Sequence, residues 1–216
     1  MYPPDAAERR APATPLVVKT VLLINGLVFL AQLLIGDLLT VRFALWPLEV
    51  QPYAPSFHIW QLLTYSVLHG GLLHLLTNMF AMWMFGSQIE HLWGSRLFGV
   101  YYLVCVVGAG LVQLVVATLA AVHGDVYPTI GASGGVFGVL LAFGMMFPNQ
   151  RIVLLIPPIP MKAKWFLILY GAFELYAGIT GTMSGVAHFA HLGGMLFGLV
   201  LILCWRRQMP WLRAER

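Results

Sequence analysis

Ser133 and His191 are the residues of this sequence whose types and surroundings best suit catalytic chemistry. Ser133 lies in Gly131-Ala132-Ser133-Gly134, directly before an apolar run, and His191 lies in Ala190-His191-Leu192-Gly193-Gly194. A serine hydroxyl becomes a nucleophile when a hydrogen-bonded imidazole can take its proton. That chemistry requires the elements carrying these two residues to bring them within hydrogen-bond distance.

The composition indicates a polytopic membrane protein. Of 216 residues, 60% are hydrophobic and only 9% are charged, whereas soluble domains carry about 25% charged residues. The net charge of +4 is small and its basic residues do not gather on one soluble face, which argues against nucleic-acid binding. Both cysteines fall inside apolar runs without the spacing of a metal site or a disulfide framework.

The apolar runs predict an all-α bundle of six membrane-spanning helices. We expect spans at about 16–35, 62–89, 97–122, 133–147, 165–179 and 187–205, within a domain covering 16–205. Residues 1–15 and 206–216 read as cytoplasmic tails, and the proline- and aromatic-rich segment 36–59 as an interfacial loop. With both termini in the cytoplasm, eleven of the 12 Lys and Arg residues lie inside and only Arg42 lies outside.

Counting residues from the inner boundary gives the depth of each polar side chain. Ser133, His191, His74 and Asn78 lie about 18 to 24 Å above that boundary at 1.5 Å per residue. Three different spans thus contribute polar groups to one level. Such groups are costly in a bilayer and are functional candidates by default.

Two glycine pairs predict how the fourth and sixth spans approach each other. Gly134 and Gly138 follow Ser133, and Gly194 and Gly198 follow His191, each pair four residues apart. This small-xxx-small pattern lets helix backbones come close. We expect these four glycines, together with Gly131, to serve helix packing and to bring Ser133 against His191.

The resulting hypothesis is a Ser133–His191 dyad, with Ser133 as nucleophile and His191 as general base. His74, Asn78 and the backbone amide of Ser133 would hold the oxyanion. No aspartate lies at this level, and Glu174 is placed about 15 Å above Lys164. We therefore expect Glu174 to have a neutral, hydrogen-bonded packing role away from the site.

Taken together, these motifs resemble those of the rhomboid family of intramembrane serine proteases. The similar elements are Gly131-Ala132-Ser133-Gly134, Ala190-His191 with Gly194 and Gly198, and the His69, His74 and Asn78 pattern. The resemblance covers about residues 16–205 and implies the same roles for these residues. It also implies hydrolysis, without a metal or cofactor, of peptide bonds in or near the membrane segment of single-span protein substrates in the bilayer.

The sequence departs from the family pattern at two positions and leaves two other functions open. Gln61 stands where the family often has an arginine, and Phe137 where many members have a tyrosine. His188 is expected to be solvated near the outer surface. The alternatives are a zinc protease built on His188, His191 and His74, and a non-catalytic rhomboid-like binder of membrane proteins or a transporter. The compact chain predicts a prokaryotic plasma membrane location, with the site toward the outer side.

Overall fold

The computed structural model of the chain describes residues 13–48, 52, 54–153, 159–183 and 185–208. Most of the two predicted tails, 1–15 and 206–216, lies outside these residues. The described part is predominantly helical. In chain order its elements are α1 (Leu16–Ile35), α2 (Asp37–Phe43), α3 (Gln61–Thr64), α4 (Leu72–Ala81), α5 (Ser87–Trp93), α6 (Ser95–Val122), α7 (Ser133–Met146), β1 (Arg151–Val153), β2 (Pro160–Lys162), α8 (Ala163–Thr180) and α9 (His188–Gln208).

Within the described residues, three helices are long and apolar enough to cross a membrane. They are α1, α6 and the part of α9 from His188 to Arg206, while α7 is apolar but shorter. The predicted bounds of the first, third, fourth, fifth and sixth spans agree with α1, α6, α7, α8 and α9 to within about three residues. The membrane-protein class is therefore supported, and the count of six crossings stays a prediction.

The second predicted span is not one continuous helix from Leu62. The chain forms the short helix α3 and a 3-10 turn at Tyr65–Val67, and then becomes extended at Leu68. Helix α4 begins only at Leu72, after Gly70 and Gly71, because two successive glycines make continued helix costly. A π-helical turn at Met82–Gly86 joins α4 to α5. His74 consequently lies in the first turn of a helix rather than in its middle.

Segment 36–59, expected as a structured interfacial loop, contains the helix α2 and is anchored to the bundle. Leu45 and Thr129 form an antiparallel bridge with N–H···O distances of 3.0 and 2.9 Å. Ala44, Leu45 and Trp46 are buried. Residues 49–51 and 53 of this segment lie outside the described part of the chain.

Contacts between distant residues show which helix ends lie together. Glu90, in the middle of the short helix α5, accepts hydrogen bonds of 2.8 Å from the amides of both Val17 and Val18 at the start of α1. These bonds satisfy N–H groups that a helix start leaves without partners. At the same end, Gln150 after α7 donates to Gln88 at 3.2 Å, and the rings of Trp93 and Trp205 lie 5.9 Å apart. The Leu45–Thr129 bridge marks the opposite end.

Helix α7 occupies the centre of the bundle. Every residue from Gly134 to Gly144 is buried, which explains why its sequence is apolar on all sides. The hydroxyl of Tyr101 on α6 donates to the Gly138 carbonyl of α7 at 2.7 Å. This central position fixes the start of α7, and with it Ser133, relative to α6 and α9.

Candidate active site

The start of α7 presents Ser133 beside free backbone donors. Gly131 has φ +127°, a value that disfavours other residues, and its amide donates to the Tyr65 carbonyl at 2.9 Å. Ala132 precedes the helix and Ser133 is its first residue. The amides of the first helical turn have no acceptor within their own helix. Ser133 therefore combines a hydroxyl with an outward-facing backbone N–H.

Ser133 and His191 are in hydrogen-bond contact. The Nε2 atom of His191 lies 2.8 Å from the Oγ atom of Ser133, a normal length for such a bond. The imidazole is buried, while Ser133 is partly exposed. The sequence prediction that these two residues meet thus agrees with the geometry.

The glycines on α7 and α9 permit this contact. A Cβ atom on Gly194 would overlap the carbonyl oxygen of Gly134, and one on Gly138 would lie 3.1 Å from the carbonyl oxygen of Gly194. The two helices therefore touch through backbone, as predicted. A Cβ on Gly134 would also overlap Ala109 of α6, so α7 is packed closely on two sides.

Two of the five predicted packing glycines have different neighbours from those expected. Gly198 faces the hydroxyl of Tyr101 on α6 and not α7. Gly131 precedes α7 and approaches a side chain instead of a helix, because a Cβ there would lie 2.8 Å from Cε1 and 2.9 Å from Nε2 of His74. The absence of a side chain at Gly131 therefore makes room for that imidazole.

His74 is arranged as a hydrogen-bond donor close to Ser133. Its Nδ1 accepts the Gly70 amide at 3.3 Å, so the ring proton resides on Nε2. That Nε2 lies 2.9 Å, and the Oγ of Ser133 3.7 Å, from the point where a Cβ of Gly131 would be. His74 thus lies beside Ser133 with a ring N–H to donate, and its role toward an oxyanion stays a prediction.

Asn78 is buried but directed at its own helix. Its Nδ2 donates to the carbonyl oxygen of His74 at 2.8 Å. Side chains of this type commonly bond the carbonyl one turn back. Asn78 lies on the same helix face as His74, and its Nδ2 carries a second N–H that this bond does not use.

Glu174 does touch the site, so the expectation of a packing role away from it is wrong. Its Oε2 atom lies 2.7 Å from Nδ1 of His191 and 2.7 Å from Nδ1 of His188. The depth estimate placed its Cα about 7 Å below the level of His191. A residue count does not fix the height at which each helix crosses the inner boundary, so it missed this contact.

His188 is also not solvated as expected. It is only 5% exposed, and its Nε2 lies 3.1 Å from the carbonyl oxygen of Thr182. Two signals could have found this cluster. His188 and His191 are three apart and so share a helix face, and Glu174 is the sole acidic residue in the last three predicted spans.

The departures from the family pattern are accommodated structurally. Phe137 stacks on the imidazole of His191 with ring centroids 4.1 Å apart and planes 4° from parallel. Gln61 is buried, and its Oε1 accepts the amides of Trp46 at 3.3 Å and His58 at 3.2 Å. The Gln61 side chain thus anchors segment 36–59 at the position where the family often has an arginine.

The zinc-protease alternative can be compared with the cluster formed by Glu174, His188 and His191. Among the described residues, one ligand atom each of Glu174, His188 and His191 lies within 4.8 Å of the others, and this group does not include His74. Two imidazoles and a carboxylate are a donor set that suits zinc. Here each imidazole Nδ1 lies 2.7 Å from the same carboxylate oxygen, a hydrogen-bond length.

Comparison with known proteins assigns this arrangement to a family. The family model of the Rhomboid domain matches residues 56–208. The chain is 34% identical over 127 residues to "Rhomboid protein 1, mitochondrial" of Saccharomyces cerevisiae, covering 59% of this chain and 36% of that protein. It is 33% identical over 151 residues to "Presenilin-associated rhomboid-like protein A, mitochondrial" of Danio rerio, with coverages of 67% and 38%.

A plant relative extends the match over more of the chain. "RHOMBOID-like protein 4" of Arabidopsis thaliana is 31% identical over 170 residues, covering 78% of this chain and 40% of that protein. The matches thus span less than half the length of these curated relatives. The expected prokaryotic plasma membrane location is wrong by this comparison, because the yeast and fish relatives are named as mitochondrial. Compactness of the chain was not a sound basis for assigning a compartment.

Proposed function

Because this chain belongs to the rhomboid family, we propose that it is an intramembrane serine endopeptidase. Its substrates would be single-span membrane proteins, cleaved in or near the transmembrane segment. The observation that carries the proposal is the 2.8 Å contact between Ser133 Oγ and His191 Nε2. An imidazole in this position can activate a serine hydroxyl.

The proposed reaction is acyl transfer to Ser133 followed by hydrolysis. His191 Nε2 takes the hydroxyl proton as Oγ attacks the carbonyl carbon of the scissile bond. The oxyanion accepts hydrogen bonds from the Ser133 amide, the His74 Nε2–H and the second N–H of the Asn78 side chain. His191 then gives its proton to the leaving amine, and water hydrolyses the acyl-enzyme by the same base.

The same proposal includes a catalytic domain of residues 16–205 with six membrane crossings. It is supported by the alternation of helix ends: Val17, Glu90, Gln150 and Trp205 gather at one end, whereas Leu45 and Thr129 meet at the other. Both termini of the domain would then lie on one side. Cysteine labelling of each connection in sealed vesicles tests the number of crossings.

Cleavage of a single-span reporter by the purified protein in liposomes tests the activity. We expect Ser133→Ala and His191→Ala each to reduce kcat by about 10⁴-fold or more, since loss of a nucleophile or its base leaves only residual catalysis. His91→Ala is the matched control. His91 is an exposed histidine on α5, at the helix end opposite Ser133, and its removal should not change the rate.

A fluorophosphonate probe tests the nucleophile independently of substrate choice. The probe should label Ser133 in the parent chain and fail to label Ser133→Ala. If the parent cuts the reporter and both alanine variants cut equally fast, the proposed dyad is wrong. A parent chain that neither cuts nor reacts with the probe, although folded, would favour the non-catalytic binder.

A further inference from the structure

We propose that Glu174 positions the catalytic imidazole and that His188 makes burial of its carboxyl group possible. The inference rests on the proposed serine protease function and extends the dyad to a hydrogen-bonded chain, Ser133–His191–Glu174–His188. Its basis is one carboxylate oxygen, Glu174 Oε2, that lies 2.7 Å from the Nδ1 atoms of both histidines. The proposed reaction gives neither Glu174 nor His188 a task.

The hydrogen-bond partners fix where the protons are. Glu174 Oε2 accepts from Nδ1 of His191, so His191 carries its proton on Nδ1 and leaves Nε2 free to accept the hydroxyl of Ser133. The opposite tautomer would place a proton on Nε2, against that hydroxyl. Glu174 therefore selects the only neutral form of His191 that can act as a base toward Ser133.

His188 supplies the second half of this proton arrangement. The carbonyl oxygen of Thr182 can only accept, so the Nε2 of His188, 3.1 Å away, carries a proton. One further proton lies between His188 Nδ1 and Glu174. Whichever atom holds it, the pair is neutral as a whole, either as imidazolium with carboxylate or as imidazole with carboxylic acid.

Neutrality matters because the cluster is buried in the bundle. The side chains of Glu174 and His188 are 3% and 5% exposed. A lone carboxylate at such a position is costly, and removing one partner of a buried pair leaves an uncompensated group. His188 offsets the cost of burying the carboxylate, because it shares a proton with that group. Glu174 can then face His191 without a cation supplied by another helix.

The contact between Glu174 and His191 also favours the step in which the His191 imidazole becomes positively charged. When Ser133 attacks, its proton moves to His191 and the imidazole becomes cationic. The oxygen of Glu174 is then 2.7 Å from a positive ring, an arrangement that stabilises the imidazolium while the Nδ1–H bond keeps the ring orientation. No atom of Glu174 needs to touch the substrate.

Substitutions at Glu174 test this role by kinetics. Glu174→Leu removes the acceptor with similar side-chain volume. We expect kcat for reporter cleavage to fall about 100- to 10,000-fold, as when an orienting acid is lost, with KM within about threefold. Fluorophosphonate labelling of Ser133 should slow in parallel. A packing role alone would lower thermal stability without this separation of kcat from KM.

A conservative variant tests whether an acceptor at this position is what His191 needs. In Glu174→Gln, the amide oxygen can take the place of Oε2 and accept from Nδ1 of His191. This variant should therefore recover at least tenfold in kcat over Glu174→Leu. The share of His188 is tested by stability: His188→Leu should lower Tm more than Glu174→Leu/His188→Leu, because only the single variant buries the carboxyl group without the imidazole that shares its proton.

The outcomes separate this inference from the proposed function. If the parent cleaves the reporter in a Ser133-dependent way and Glu174→Leu is equally fast, the positioning role is refuted while the protease stands. Equal kcat values for Glu174→Gln and Glu174→Leu would refute the need for an acceptor facing His191. A Tm of His188→Leu equal to or above that of Glu174→Leu/His188→Leu would refute the share of His188. A parent without Ser133-dependent cleavage overturns the protease function itself, and the positioning role with it.

Discussion

Gly194 offers the most direct test of how helix packing sets the catalytic distance. A Cβ atom added there would overlap the carbonyl oxygen of Gly134 and lie 2.8 Å from its carbonyl carbon. Carbon atoms pack at about 3.5 to 4.0 Å. In Gly194→Ala, therefore, α9 has to move away from α7 by about 1 Å.

That movement acts directly on His191, one turn before Gly194 on the same helix. A displacement of about 1 Å stretches the 2.8 Å contact between His191 Nε2 and Ser133 Oγ to nearly 4 Å, beyond hydrogen-bond distance. Misplacement on this scale costs about 100-fold in rate. Overpacking should also destabilise the fold by about 1 to 3 kcal/mol.

The assay is steady-state cleavage of a single-span reporter by Gly194→Ala, together with a thermal melt. We expect kcat to fall about 100-fold at a temperature where the variant is fully folded. Gly26→Ala is the control: it also places an alanine in a long apolar helix, but nothing lies within 4 Å of the added atom. If Gly194→Ala cleaves at the parent rate, the backbone contact between α7 and α9 does not set the catalytic geometry.

Three further substitutions or treatments test other contacts. Gly131→Ala should reduce kcat at least tenfold because its Cβ meets the imidazole of His74. Gly124→Ala is the control for backbone strain alone, since Gly124 also has a positive φ (+96°) but open space around it. Similar rates for the two variants would argue against the oxyanion role of His74. Glu90→Gln should lower the unfolding free energy by about 1 to 3 kcal/mol, because an amide cannot accept both α1 amides, and a melt showing no change would refute this capping role. A metal chelator should leave reporter cleavage unchanged, and loss of activity restored by zinc would favour the metalloprotease.

The sequence predicted the Ser133–His191 contact because depth and glycine spacing are both properties of single helices. Each can be counted along the chain without knowing which helices are neighbours. The start of α7 at Ser133 was predictable for the same reason, since Gly131 ends the preceding segment and an apolar run follows. These are local signals, and the structure agrees with them.

The contacts of Glu174 and His188 could not be predicted in the same way. They depend on side-chain reach and on the rotation of α8 about its axis, and neither follows from a residue count. The break before α4 was missed for another reason. The run from Leu62 to Ile89 is apolar throughout, so its hydropathy resembles one span, and only Gly70 and Gly71 mark the interruption.

Helix α8 is held to the rest of the bundle by few buried side chains, which gives the Glu174 contacts a second consequence. Only Ala163, Glu174 and Ala177 are buried on it. Separating α8 from α9 would therefore take the Glu174 carboxyl group away from His191 Nδ1. His191 would then lose the contact that is proposed to orient it as a base.

Two glycines of α8 that face α9 test this coupling. A Cβ on Gly178, one turn after Glu174, would lie 3.1 Å from the Phe189 ring and 3.4 Å from the Cβ of His188, whereas one on Gly171 would meet only the flexible end of Met195 at 3.3 Å. Gly178→Leu should therefore wedge the helices apart beside the carboxylate and lower kcat about as much as Glu174→Leu. Gly171→Leu adds the same side chain to the same helix and should change kcat by only a few-fold, because a methionine adapts its shape. Equal effects of the two variants would show that activity does not depend on close packing of α8 beside Glu174.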